Sequence, residues 1–164
     1  MTISVQEADF DPGAEIAALT NEDPMAGAVA SFVGLVRADK LVGQKVGVTE
    51  GNPLFGSGVT AMTLEHYPGM TEQALADIVA IARKRWKPRA VRVIHRVGRL
   101  LPGERIVFVG VASAHRGDAF AACEFIMDYL KTQAPFWKKE ETAAGTRWVD
   151  ARETDDHAVK RWLD

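Results

Sequence analysis

The sequence predicts one domain of mixed helices and strands, organised around an antiparallel strand pair. Three observations carry this reading. Leu75, Ile78, Val79, Ala82 and Trp86 fall at i, i+3, i+4, i+7 and i+11, a single apolar stripe of helical period. Ala90 to Val97 and Glu104 to Ala114 are strand-like and are joined by Gly98 to Gly103, a turn with Pro102-Gly103 at its tip. Val59 to Tyr67 alternates residue by residue, the period of a strand.

Taken in order, Thr2 to Ala8 reads as a short first strand, and Asp11-Pro12 opens a helix to about Leu19, with Pro12 suited to a first turn. Ala26 to Val36 is small and β-branched without helical spacing and reads as a buried strand; its glycines allow close backbone approach. Arg37 stands at its end. From Ala38 to Gly58 five glycines and Pro53 predict a long flexible loop, with a loose hairpin at Lys45 to Thr49. After Pro68-Gly69, Thr71 reads as the N-cap of the striped helix, without the acidic half of a capping box, and Pro88 ends that helix.

Glu104 to Ala114 is apolar on both faces over most of its length, which places it centrally in a sheet. A helix from about Gly117 to Gln133 follows, ended by Pro135, with Phe120, Cys123, Met127 and Leu130 on one face. Phe136 to Glu141 reads as a short connector, Ala143 to Gly145 as a turn, and Arg147 to Val149 as a last strand. The tail from about residue 154 to 164 is charged and reads as a frayed helix.

Composition narrows the function. The 164 residues are 47% hydrophobic and 26% charged, the balance of an ordinary folded domain. Twenty Lys and Arg against 22 Asp and Glu leave a net charge of −2, so the whole-molecule field attracts neither nucleic acid nor anionic lipid. The one cysteine, Cys123, closes no intramolecular disulfide, multi-thiolate zinc site or CxxC pair, and this points to a reducing compartment. No apolar run approaches the roughly 18 to 20 residues of a membrane span. The acidic start from Met1 to Asp11 lacks the basic segment of a signal peptide, so the expectation is a cytoplasmic protein without metal or cofactor.

Three places offer chemistry. His115-Arg116 stands between the central strand and the next helix, where free backbone N–H groups, imidazole and guanidinium would together meet a phosphate or carboxylate. The plainer reading is a helix cap beside a solvated arginine. The stretch Lys131 to Glu141 sets Phe136-Trp137 between lysines, and Pro135 breaks the helix so that Lys138 can fold back toward Lys131. A lysine held near other cations loses proton affinity and becomes useful as nucleophile or base; the plainer reading is an exposed pair of Lys131 with Asp128. Finally, Arg83 to Arg99 holds eight of the 20 basic residues and no acid. That band suits a nucleic-acid-binding module, or else a helix end and the solvated outer face of a strand carrying Arg92 and Arg96.

FVGLVR at Phe32 to Arg37, LEHYPGM at Leu64 to Met70, HRVGRLLPGE at His95 to Glu104, SAHR at Ser113 to Arg116, MDYLKTQAPFWKKE at Met127 to Glu140 and RWV at Arg147 to Val149 resemble the large, catalytic subunit of molybdopterin synthase. The likeness runs from about residue 26 to the tail.

The resemblance implies an α+β fold, an α/β hammerhead with an antiparallel β-sheet subdomain. It implies a sulfurtransferase that converts cyclic pyranopterin monophosphate to molybdopterin. Both sulfurs would come from the C-terminal Gly-Gly thiocarboxylate of a small ubiquitin-like partner subunit. Two large subunits would pair as a homodimer within a heterotetramer. Catalytic lysines fall on Lys131 and Lys138, the anion-binding pair on His115 and Arg116, and a further arginine on Arg37, with Lys139 and Glu140 in the same pocket segment. These groups would form one local cationic pocket, with Glu140 positioning a lysine. Two departures stand out: residues 41–58 are mostly extra to the family pattern, and Leu35 stands where a polar or basic residue is frequent.

Overall fold

The computed structural model describes residues 2–37, 59–142, 145–149 and 158–163. The expected loop of residues 38–58, its hairpin, most of the expected turn at 143–145 and the start of the tail lie outside the described residues. Among the described residues, two four-stranded sheets and three helices make an α+β fold.

The first sheet is ordered β1 (Thr2–Gln6), β4 (Ala90–Arg96), β6 (Arg105–Ser113), β2 (Ala28–Leu35), with β1 parallel to β4 and the other pairs antiparallel. The expected β4–β6 pair is present, Val91 opposite Val111, and β6 is interior, with seven consecutive buried residues, Val107 to Ser113. Both of its faces are covered. Val107, Val109 and Val111 meet α2 (Met70–Trp86) and α3 (Arg116–Gln133) through Leu75, Ile78, Phe125 and Ile126. Phe108 and Ala112 meet α1 (Pro12–Glu22) through Leu19. Full burial of such side chains contributes roughly 1.5 to 3 kcal/mol each. A Cβ on Gly110 would stand 2.4 Å from Leu19 Cδ1, so glycine lets α1 lie close on the sheet.

Local signals fix the helix ends. Asp11 caps α1 by accepting from Gly13 N at 2.7 Å and Ala14 N at 3.1 Å. At α2 the structure corrects the sequence: Gly69, at φ +84°, is the N-cap, and Glu72 Oε2 accepts its N–H at 2.6 Å. Thr71 is fully buried instead, accepting from Tyr67 N and donating to the Pro135 carbonyl, both at 3.1 Å. That last bond ties the α3 exit to the first turn of α2.

The second sheet is ordered β5 (Gly98–Leu100), β3 (Val59–His66), β7 (Phe136–Thr142), β8 (Gly145–Val149), all antiparallel. Two sequence readings change here. Gly98 to Gly103 is not only a turn, because Gly98–Leu100 leaves the first sheet to pair with β3. Phe136 to Glu141 is not a connector but β7, interior in its sheet, where backbone pairing on both sides outweighs the low strand propensity of four charged residues. Residues 158–160 form a helical turn beyond which Trp162 packs edge-on to Trp86 and Phe125, ring centroids 5.5 Å from each. Among the described residues, no helix is long and apolar enough to cross a membrane.

Candidate active site

Lys131 sits exposed in the last turn of α3. The chain then leaves through Ala134 and Pro135 into β7, and Phe136 stacks on His95 with centroids 3.7 Å apart. His95 is buried, its Nδ1 lies 2.9 Å from the Arg96 carbonyl and so donates to it, and burial pushes its pKa down to about 4. A neutral ring therefore anchors the start of β7.

Period two along β7 then sorts the charged residues. Lys138 and Glu140 share a face, and Lys138 Nζ lies 2.7 Å from Glu140 Oε1. Glu140 is 5% exposed, and its other oxygen accepts from Arg147 Nη2 of β8 at 2.9 Å. Burial alone would raise the Glu140 carboxyl, but hydrogen bonds from Lys138 and Arg147 outweigh it and hold the group below its usual range. Lys139 points to the opposite face, over the Trp148 ring at 5.8 Å. Lys138 therefore has a buried carboxylate as its nearest partner, while Lys139 stands apart from it.

His115-Arg116 lies at the other end of α3. Ser113 closes β6 and His115 is the extended N-cap residue, as the plainer reading has it, but its side chain makes no cap hydrogen bond; both it and Arg116 are exposed. An open cleft of about 400 Å³ is lined by Gly27, Ala114, His115, Arg116 and Gly117. A Cβ on Gly27 would stand 2.4 Å from the Ala114 carbonyl oxygen, whereas one on Gly117 would meet nothing within 4 Å. The cleft joins guanidinium, imidazole and unpaired helix N–H groups, the chemistry of an anion site.

The two clusters do not meet within one chain. Lys131 follows Arg116 by 15 helical residues, about 22 Å along the axis at 1.5 Å per residue. Arg37 belongs to the lysine end, because β2 runs antiparallel to β6 and Val36 N donates to Glu104 O just before β6 begins. The residues of the expected single pocket, Arg37, His115, Arg116, Lys131 and Lys138, thus fall into two groups at opposite ends of α3.

Four of the eight residues of the basic band meet acids, while Arg83, Lys84 and Lys87 are exposed at the end of α2. Arg92 reaches Glu15 at 2.6 Å and Glu22 at 3.1 Å on α1, Arg89 reaches Asp23 at 3.6 Å, and Arg99 reaches Glu141 at 3.0 Å. Arg96 is buried against Glu104 and Asp9. The expected solvated face of β4 is covered by α1, which removes the main support for nucleic-acid binding. Cys123 is buried, its Sγ 3.7 Å from the Val109 carbonyl, and burial pushes the thiol up to about 12. Sequence reasoning missed Arg147 as the second partner of Glu140 and Thr71 as the pin beneath Pro135. The RWV block was the only signal for the first.

Residues 5–133 match the family model described as MoaE protein. The molybdopterin synthase catalytic subunit of Ralstonia nicotianae is 62% identical over 161 residues, covering 98% of this chain and 84% of that one. The solved structure of the molybdopterin biosynthesis MoaE protein from Burkholderia ambifaria superposes with a TM-score of 0.77 at 53% identity, covering 99% of each chain. A solved complex of subunits 1 and 2 of the molybdopterin-converting factor from Helicobacter pylori gives a TM-score of 0.68 at 18% identity, covering 92% and 91%, a likeness of fold alone.

Proposed function

The chain belongs to the MoaE protein family and has the function of a molybdopterin synthase catalytic subunit, an enzyme of molybdenum-cofactor biosynthesis; from this premise we propose that its active site is shared between two copies of the chain. The observation that carries the proposal is the separation of Lys131 and Lys138 from His115 and Arg116 by the length of α3.

His115 and Arg116 of one copy would hold the phosphate of cyclic pyranopterin monophosphate with the helix N–H groups. Arg37, Lys131 and Lys138 of the other would face the pterin. Sulfur would arrive as the thiocarboxylate at the C-terminal Gly-Gly of a small ubiquitin-like subunit. Lys138, fixed by Glu140, would polarise the attacked carbon. Lys131 would act as proton donor and acceptor, or its neutral amine would attack the acyl carbon of the donor tail, forming an amide as the C–S bond breaks, the amine proton leaving with the sulfur as hydrosulfide. Lys139, turned toward Trp148 on the other face of β7, would add positive charge to the same pocket segment without touching Lys138. The chain would act as a single domain over residues 1–164, in the cytosol, as a homodimer within a heterotetramer.

The test supplies thiocarboxylated small subunit and cyclic pyranopterin monophosphate and measures dithiolene product by mass. Lys131→Ala alone and Arg116→Ala alone should each abolish product. An equal mixture exchanged by dilution and reassembly should recover about a quarter of wild-type activity, since half the dimers are mixed and each carries one intact site. No recovery in proven mixed dimers would sink the shared site. Near-normal turnover by Lys131→Ala would sink the assignment of the lysine.

A further inference from the structure

Arg37 follows β2, and what holds the chain at that point lies outside the strand. The β2–β6 register shifts at Gly34/Leu35, and the ladder ends with Leu35 opposite Arg105. Val36 is nevertheless bound on both sides. Its N–H donates to the Glu104 carbonyl at 2.9 Å, and its own carbonyl accepts from Gly103 N at 2.8 Å. Its side chain is 4% exposed and packs with Met62, Leu64 and Leu100 of the second sheet. Met62 and Leu64 stand opposite Glu140 and Lys138 in the β3–β7 register. Arg37 therefore leaves the sheet on the side of the lysine group, from a residue that the 101–104 turn clasps.

The turn is itself held by one carboxylate. Glu104 Oε2 accepts from Leu101 N at 2.6 Å, and Glu104 N donates to the Leu101 carbonyl at 3.0 Å, so the turn is closed twice. Gly103, at φ +89°, supplies the left-handed residue that so tight a return requires. Glu104 Oε1 accepts from Arg96 Nη1 at 3.3 Å. Arg96 is 7% exposed, and its Nε and Nη1 also donate to the Glu7 and Arg105 carbonyls, both at 3.1 Å. The Leu101 N–H, and after it the Arg96 guanidinium, hold the Glu104 carboxyl below its usual range.

Arg96 does not depend on Glu104 for a counter-charge, because Asp9 Oδ1 lies 3.5 Å from its Nη1. The Glu104 side chain is 37% exposed, so it fills no core position either. Its two oxygens serve geometry. We propose that Glu104 is a positioning residue for Arg37: its carboxylate ties the 101–104 turn to the buried Arg96, and the turn fixes the point from which the Arg37 guanidinium reaches the pterin. The inference rests on the reading of Arg37 as a pterin-facing group. Glutamine is the informative substitution. With a donor on each oxygen, the amide of Glu104→Gln offers an acceptor to one and a second donor to the other, so one arm opens while the shape stays.

The experiment uses the full chain with thiocarboxylated small subunit and cyclic pyranopterin monophosphate. Arg37→Ala should raise KM for the pterin about tenfold, and Glu104→Gln should raise it about fivefold with kcat within about twofold of native. The double variant should be no worse than Arg37→Ala alone, the mark of two residues acting as one unit. A side chain that only supported the fold would lower the melting temperature and leave KM where it was. Circular dichroism should match the native chain, because Arg96 keeps Asp9 and two carbonyls. A native KM in Glu104→Gln, multiplied effects in the double variant, or a Glu104→Gln chain that fails to fold each overturns the proposal. A native KM in Arg37→Ala beside an inactive Lys131→Ala overturns it and keeps the lysine assignment. Near-normal turnover by Lys131→Ala overturns the site reading and this inference with it.

Discussion

Glu140 Oε1 lies 2.7 Å from Lys138 Nζ, and the carboxylate that makes this contact is 5% exposed. A buried carboxylate between two cations fixes side chains that otherwise have several free torsions. Glu140→Gln keeps the shape and removes the charge. Dithiolene formation should fall at least about tenfold, through a lower kcat, while the fold remains. Glu140→Ala removes the shared partner of Lys138 and Arg147, which are both partly exposed and can turn to water, so it should lower the melting temperature by an amount equivalent to about 1 to 3 kcal/mol. Unchanged kcat in Glu140→Gln would show that Lys138 needs no such support.

His95 makes stability depend on pH in a defined window. Its pKa is lowered from 6.5 to about 4 by burial, so between those values the unfolded chain binds the proton and the folded chain does not. Stability is fully present above pH 6.5 and falls as the pH drops toward 4, by roughly 3 kcal/mol. Glu140, held below its usual 4.5, adds to the loss only at lower pH. Urea midpoints measured from pH 7 to 5 should fall for the native chain and stay nearly flat for His95→Gln.

Gly27→Ala should damage the anion cleft from a distance. The added Cβ meets the Ala114 carbonyl oxygen at 2.4 Å, a backbone atom that yields only by moving the His115-Arg116 turn. Overpacking of this kind costs about 1 to 3 kcal/mol. KM for the phosphate substrate should rise about tenfold.

The tail docks through Asp128. Its Oδ2 accepts from Trp162 Nε1 at 2.8 Å and Arg161 Nη2 at 2.6 Å, while Arg85 Nη1 donates to the Trp162 carbonyl at 2.9 Å. Trp162→Ala should destabilise the chain by about 2 to 3 kcal/mol in denaturant titration, since it removes two edge-on ring contacts and leaves a cavity. Asp128→Asn should cost about 1 kcal/mol. If truncation before residue 158 left stability unchanged, the docked tail would contribute nothing to the fold.

Cys123 should resist thiol reagents. Burial and a pKa near 12 leave almost no thiolate at neutral pH. Labelling by a disulfide reagent should proceed only at the rate of opening and speed up with urea. Rapid labelling in buffer would contradict the packing of α3 on β6.

What the sequence made legible was periodic. The α2 stripe, the β4–β6 pair and the interior position of β6 all follow from spacing, and each is present. β7 escaped because its charged residues satisfy one another across strands rather than along the chain: Glu140 meets Arg147, and Glu141 meets Arg99. Arg92 escaped in the same way, since α1 brings Glu15 and Glu22 to it from 77 and 70 residues away. The two groups of candidate residues were legible as residues but not as places. Motifs name side chains, whereas the distance between His115 and Lys131 is a property of the helix between them.

That helix has a genetic consequence. On the proposed shared site, with its two residue groups at opposite ends of α3, a chain defective at either end spoils one site of a mixed dimer, and a chain defective at both ends spoils the two together. In a cell making equal amounts of native and defective chains, single-ended defects would behave as recessive, with half of all sites intact. Double-ended defects, or a one-residue insertion that turns α3 by about 100°, would leave only the native dimers working, about a quarter of the population.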